Sequence, residues 1–183
     1  MDQQSQGVPD APNSTARRIL KEWIIPFGIE IAVILLVIKF LFFFVIVPTG
    51  SMKPTIDEHS VLFATRVHNL EKLQRGDILV FESEELGKTL VKRLVGLPGE
   101  QVVIDQEGKV QVDGQPLDED YVRYPSRLSG EFQVPEGCYL FFGDNRADSG
   151  DARLWNNPYI PGEAISGKAV FTLWPVSNFG GLR

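Results

Sequence analysis

The sequence predicts a mainly β fold: an irregular antiparallel β domain behind one N-terminal transmembrane helix. Three observations predict it. Residues 23–47 form a 25-residue stretch with only two charges, Glu30 and Lys39. Beyond it, short runs rich in β-branched and aromatic residues recur between Gly, Pro, Asp and Asn. No long amphipathic helical pattern appears after residue 50. A length of 183 residues suits one domain with a tail and an anchor.

Residues 1–22 open with Gln, Ser, Pro, Asp and Asn, which offer little to bury, so a disordered cytoplasmic tail is expected. As a helix, residues 24–47 would cover ~36 Å, against ~30 Å of bilayer hydrocarbon. The run exceeds the ~7–15 apolar residues of a cleavable secretory leader. It also ends in bulky residues, Phe42 to Ile46, rather than small ones. An uncleaved anchor over 23–47 is therefore expected; a buried core helix would show a polar face, and this run has almost none. Lys39 lies ~23 Å along such a helix from Ile24, where it can snorkel to the far interface. Arg17, Arg18 and Lys21 precede the span, which places the N-terminus in the cytoplasm and residues 48–183 outside it.

The net charge of -6 falls entirely on residues 48–183. That balance argues against nucleic acid as a partner, because phosphate binding needs a basic surface. One cysteine, Cys138, makes no intramolecular disulfide. With only two histidines, His59 and His68, the chain has neither a zinc-finger pattern nor a CxxC redox pair, so no metal is expected.

Within residues 48–183, strands are expected at 60–66, 78–82, 89–95, 102–104, 109–112, 137–142 and 167–174. Asp113-Gly114 marks a tight hairpin turn. Residues 69–74 look briefly helical, and residues 115–136, rich in turn formers, are expected to be an exposed excursion.

Three constellations carry chemistry. In Pro48-Thr49-Gly50-Ser51-Met52-Lys53-Pro54-Thr55, two prolines bracket a Gly-Ser pair, which bends the backbone and suits a nucleophilic serine as well as it suits a simple turn. A serine nucleophile needs a base, and neither histidine sits in a convincing motif. Lysine serves if burial lowers its pKa toward ~7–8. In Leu90-Val91-Lys92-Arg93-Leu94-Val95, strand alternation puts Lys92 between Leu90 and Leu94 on one face and turns Arg93 to the other, toward solvent or an acid. The alternative is an edge strand with Lys92 outward, where lysine discourages aggregation. The third constellation runs from Gly143-Asp144-Asn145-Arg146 through Ser149 to Asp151 and Arg153; it reads either as a polar turn able to orient a buried lysine or as a solvated loop with surface ion pairs. Asp151 and Arg153 would share a face of an extended strand.

The order of these pieces is specific. An apolar run followed by Thr49-Gly50-Ser51-Met52, then Arg75-Gly76-Asp77-Ile78, then Val91-Lys92-Arg93 with Gly96-Leu97-Pro98-Gly99, then the Gly143–Arg153 box and Gly167-Lys168-Ala169, resembles the type I signal peptidases (leader peptidases). The resemblance covers most of residues 20–175. It implies the irregular β fold shared with LexA-like self-cleaving repressors, and a serine–lysine endopeptidase that removes signal peptides from exported preproteins after small residues. By resemblance, Ser51 is the nucleophile and Lys92 the general base. The Ser51 N–H and the Thr49 hydroxyl hold the oxyanion, and Ser149 orients the Lys92 ammonium. Asp151 and Arg153 support that loop, and Met52 and Ile56 line small-residue pockets. The family needs no metal or organic cofactor, and the bilayer holds enzyme and substrate together. The short stretch from Lys92 to Gly143 implies that the extra β-rich subdomain of larger relatives is absent. Ala147, Ala152 and the Asn156-Asn157 pair depart from the family's pattern. Two alternatives stay open: a specialised serine–lysine processing peptidase, and a catalytically inactive anchored β domain that binds a partner.

Overall fold

The computed structural model describes residues 17–182. The chain divides into two compact units, one ending at Phe40 and the other beginning at Leu41.

The first unit carries helix α1, Arg17–Leu41, which is long and apolar enough to cross a membrane and has no buried residue. The disordered tail expected over 1–22 lies outside the described residues as far as residue 16. From residue 17 the structure departs from it, because the chain is already helical, with Arg18 Nε 3.1 Å from Glu22 one turn on. Leu20–Ile24 is π-helical, and the Ile25 N–H donates to the Leu20 carbonyl. Pro26 gives the reason: it has no N–H for the Glu22 carbonyl, so the hydrogen-bond ladder shifts register just upstream.

The run expected as one anchor over 23–47 is split. The helix stops at Leu41, and Phe42–Val47 is strand β1. Its three phenylalanines and three β-branched residues favour a pleated strand over a helix. It pairs antiparallel with β2, Ser60–Arg66, from Phe42 opposite Thr65 to Val47 opposite Ser60. Phe43, Val45 and Val47 pack toward the core, while Phe44 and Ile46 are 65% and 67% exposed.

The remaining strands are β3 (Ile78–Ser83), β4 (Lys88–Gly96), β5 (Gln101–Ile104), β6 (Val110–Val112), β7 (Gln115–Pro116), β8 (Gly130–Gln133), β9 (Cys138–Phe142), β10 (Tyr159–Pro161), β11 (Ile165–Trp174) and β12 (Gly180–Gly181). The main sheet runs β1-β2-β11-β3-β4-β9-β10, with β12 on β11, and every described pairing is antiparallel. The seven strands expected after the anchor are all present, and the briefly helical 69–74 holds one 3-10 turn, Leu70–Lys72.

A second sheet, β7-β6-β5-β8, holds the expected strands at 102–104 and 109–112 as β5 and β6 and adds β7 and β8 from the stretch 115–136. Its strands are only two to four residues long, which is why the excursion 115–136 gave little pattern. Asp113 and Gly114 turn β6 into β7 with φ of 49° and 75°, the left-handed pair that a tight hairpin requires.

Val47 and Met52 both enter a core cluster with Ile56, Leu62, Ala64 and Val80. The turn between them is thus pinned on both sides. Met52 and Ile56 are 0% and 1% exposed, and burying such side chains contributes about 1.5–3 kcal/mol each.

Candidate active site

Ser51 sits in that pinned turn and is 8% exposed. The Lys53 N–H closes the turn on the Gly50 carbonyl at 3.1 Å, and the Ile56 N–H bonds the Met52 carbonyl at 2.9 Å. From the far side, the Asn145 N–H bonds the Ser51 carbonyl at 3.1 Å and Asn145 Nδ2 bonds the Gly50 carbonyl at 3.1 Å. One asparagine therefore fixes the backbone carbonyls of both Gly50 and Ser51.

Lys92 lies on β4, inside the sheet between β3 and β9, opposite Leu79. An outward lysine on an edge strand is thereby excluded. Its side chain is 3% exposed, and Nζ hydrogen-bonds Ser51 Oγ. Burial pulls the Lys92 amine down from 10.5 to about 8; Asp151 and Asp144 push it back up, and Arg153 pushes it down. At pH 7 roughly a tenth of the ε-amine is thus neutral, far more than for an ordinary lysine, and it is already on the hydroxyl it would deprotonate.

Thr49 Oγ1 is 3.4 Å from Ser51 Oγ. The threonine is exposed, so its hydroxyl can turn toward a group bound at the serine.

The other expected site residues are placed as follows. Met52 and Ile56 are buried directly after Ser51, in one cluster with Leu62 and Ala64 of β2. Ser149 was expected to orient the lysine ammonium; its Oγ is buried and has no hydrogen-bond partner among the described residues. It crowds Gly143, where an added Cβ would collide with both Ser149 Oγ and the Ser51 carbonyl, so only glycine fits. Asp151 and Arg153 meet through a turn, not through a shared strand face. The Arg153 N–H bonds Asp151 Oδ1 at 3.2 Å, and the guanidinium grips both carboxylate oxygens at 2.7 and 2.9 Å. Asp151 Oδ2 also accepts the Gly143 N–H at 2.9 Å, which ties the two ends of the loop together.

Arg93 does reach an acid, and it is buried rather than solvated. At 2% exposure it bonds Asp144 twice, at 2.8 and 2.6 Å, and the Gly76 carbonyl at 2.8 Å. Thr55 Oγ1 donates to Asp144 Oδ2 at 2.5 Å, linking this pair to the serine turn. Breaking such a pair by removing one partner costs about 3–5 kcal/mol, because a buried charge is left alone.

The sequence reading missed four residues. Asp144 and Asn145 stand in the quoted box without assigned roles. Glu119 holds Arg146 at 2.5 and 3.1 Å, and the Tyr121 ring lies 3.9 Å beneath the Arg93 guanidinium. Neither has a periodic or spacing signal, since both come from the irregular segment between β7 and β8.

A concavity of about 630 Å³ lies elsewhere, between the β3–β4 turn and residues 157–164, and contains neither Ser51 nor Lys92.

A family model described as "Signal peptidase, peptidase S26" matches residues 20–174. A signal peptidase I from Leptolyngbya laminosa is 34% identical over 95% of this chain and 89% of that one. Signal peptidase IB from Staphylococcus aureus is 30% identical over 89% and 94%. Among solved structures, a signal peptidase I from Enterococcus faecalis is 30% identical, with a TM-score of 0.47 over 55% of this chain and 98% of that one.

Proposed function

The chain belongs to the signal peptidase family, peptidase S26, and is a serine endopeptidase that cleaves signal peptides from preproteins; on that premise we propose that Ser51 is its nucleophile and Lys92 its general base. One observation carries this reading: a lysine 3% exposed, with its pKa drawn to about 8, on the hydroxyl of a serine fixed in a rigid turn.

The neutral Lys92 amine takes the Ser51 proton as Oγ attacks the scissile carbonyl. The resulting oxyanion is held by the Ser51 N–H and the Thr49 hydroxyl, each such donor stabilising the transition state by about 3 kcal/mol. Collapse breaks the C–N bond, and the Lys92 ammonium returns the proton to the leaving amine. Lys92 then deprotonates a water, which attacks the acyl-serine; the tetrahedral intermediate expels Ser51 Oγ, and that oxygen recovers the proton from Lys92. Asp151 and Arg153 keep the loop at Gly143 in place, and Asn145 keeps Ser51 aimed.

The proposal extends to the setting. Helix α1 spans the bilayer with Arg17, Arg18 and Lys21 on the cytoplasmic side, so residues from 48 onward face the exterior. The outer edge of β1 has no described strand partner, and β1 ends four residues before Ser51. It can therefore take an extended substrate segment as an added strand. Holding enzyme and preprotein in one membrane raises their effective concentration.

The test is cleavage of a preprotein with an Ala-x-Ala site by the detergent-purified chain and by Ser51→Ala and Lys92→Ala. Loss of cleavage in both is expected. Cleavage surviving either substitution refutes the dyad.

A further inference from the structure

The turn that carries Asn145 is held at each of its residues: Gly143 by Asp151, Asp144 by Arg93, Asn145 by Ser51 and Arg146 by Glu119. Asp151, Arg93 and Ser51 stand in the motifs legible in the sequence. Glu119 does not; it comes from the irregular segment between β7 and β8. Asp118 and Asp120 on either side of it are exposed, whereas the Glu119 side chain is turned inward.

The segment presents this carboxylate in a fixed place. The Leu117 N–H bonds the Val110 carbonyl at 2.9 Å, the Val122 N–H bonds the Glu119 carbonyl at 3.0 Å, and the Tyr124 carbonyl accepts the Ala147 N–H at 3.0 Å. The Tyr121 hydroxyl donates to Glu119 Oε1 at 2.9 Å. The carboxylate oxygens take Arg146 Nη2 at 2.5 Å and Nη1 at 3.1 Å, and the Arg146 side chain is 3% exposed. The remaining guanidinium donor, Nε, bonds the Gly143 carbonyl at 2.9 Å, and the Arg146 carbonyl accepts Arg153 Nη2 at 2.9 Å. The guanidinium therefore staples the two ends of the turn together, and Asn145, which grips the carbonyls of Gly50 and Ser51, lies between them.

We propose that Glu119 is a positioning residue for the cleavage reaction: by pairing with Arg146 it keeps the 143–146 turn closed and Asn145 seated on the serine turn. This rests on the reading of Ser51 as nucleophile. Without the carboxylate, the buried guanidinium carries an uncompensated charge and moves toward water. It then releases the Gly143 carbonyl, the turn opens, and Asn145 no longer fixes Ser51. None of these bonds involves β1, the strand read as the substrate's partner, so the loss falls on kcat rather than on KM.

The experiment compares the full chain in detergent with Glu119→Gln, Glu119→Asp and the double variant Glu119→Leu with Arg146→Met, on a peptide bearing an Ala-x-Ala site, well below every thermal midpoint. Glu119→Gln should lower kcat by ~10-fold or more with KM unchanged, as a misplaced nucleophile does. The Asn145 amide should exchange its hydrogen faster, with the amides of β2 and β11 unaffected. Glu119→Asp, which keeps the charge, should recover part of kcat. The double variant removes the buried charge together with its partner, so the thermal midpoint should return while kcat stays low, because the bond to the Gly143 carbonyl is still missing. Wild-type kcat in Glu119→Gln overturns the proposal. So does a kcat that recovers with the thermal midpoint in the double variant, which would make the pair a matter of stability alone, or a raised KM at unchanged kcat. If the double variant does not fold, kcat and Asn145 exchange in the two single variants decide. Cleavage by Ser51→Ala refutes the nucleophile itself, whatever Glu119 does.

Discussion

Replacing Lys92 by methionine should abolish cleavage and stabilise the fold together. The wild-type lysine is held at about 8 against an ordinary 10.5. A depressed pKa means that the folded state disfavours the protonated form. Between these two values the unfolded chain binds more protons than the folded one, so stability rises with pH across that window. Below about 8 the full cost is present, and at ~1.4 kcal/mol per unit it amounts to about 3 kcal/mol. Methionine has a similar length and no charge, so it removes that cost. At pH 7 the variant should gain about 3 kcal/mol, or ~6–12 °C in thermal midpoint for a chain of this size. At pH 10 the gain should shrink below about 1 kcal/mol, because the unfolded lysine is by then partly neutral. Thermal unfolding of both chains in one detergent at the two pH values measures it. A methionine variant less stable at pH 7, or a gain that does not change with pH, would refute the claim that burial lowers the Lys92 pKa.

Two further predictions concern groups around the dyad. Thr49→Val should lower kcat/KM by ~10²-fold if its hydroxyl stabilises the oxyanion, and Thr49→Ser should keep most of the activity; steady-state cleavage of a peptide substrate decides it. Tyr121→Leu removes the ring 3.9 Å beneath the buried Arg93 guanidinium and should cost about 1–2 kcal/mol in thermal stability beyond Tyr121→Phe, which keeps the ring and loses only the hydroxyl's 2.9 Å bond to Glu119 Oε1.

How far the site was legible depends on how local its signals are. Strand alternation around Lys92 and the prolines around Ser51 are local patterns, and both led to the right elements. The anchor's far end was not legible, because the apolar run continues unbroken through Phe42–Val47 and hides the strand preference of its side chains; the pairing with β2 decides. Asp151 and Arg153 share a face in an extended chain, yet a turn brings them together, since the Asp151 carboxylate accepts the Arg153 N–H and re-routes the backbone. The Arg93–Asp144 pair joins residues 51 positions apart. Nothing in a single sequence couples them until β4 and β9 are known to be neighbours.

The charges around Lys92 explain why burial can dominate its chemistry. Two aspartates act on the amine and would hold it protonated if they stood alone. Each is closed by its own arginine: Asp144 by Arg93, and Asp151 by Arg153. Neutralised pairs leave a small field at the amine, and desolvation then sets its pKa. Arg153→Met should therefore expose the Asp151 charge and raise the Lys92 pKa above about 8, with each unit of rise costing about tenfold in neutral amine at pH 7. In the pH profile of kcat/KM, the rising limb should move to higher pH, and Arg153→Lys should move it back. Activity lost with the limb unmoved would mean that Arg153 only holds the loop, and a limb moving to lower pH would reverse the sign of the argument.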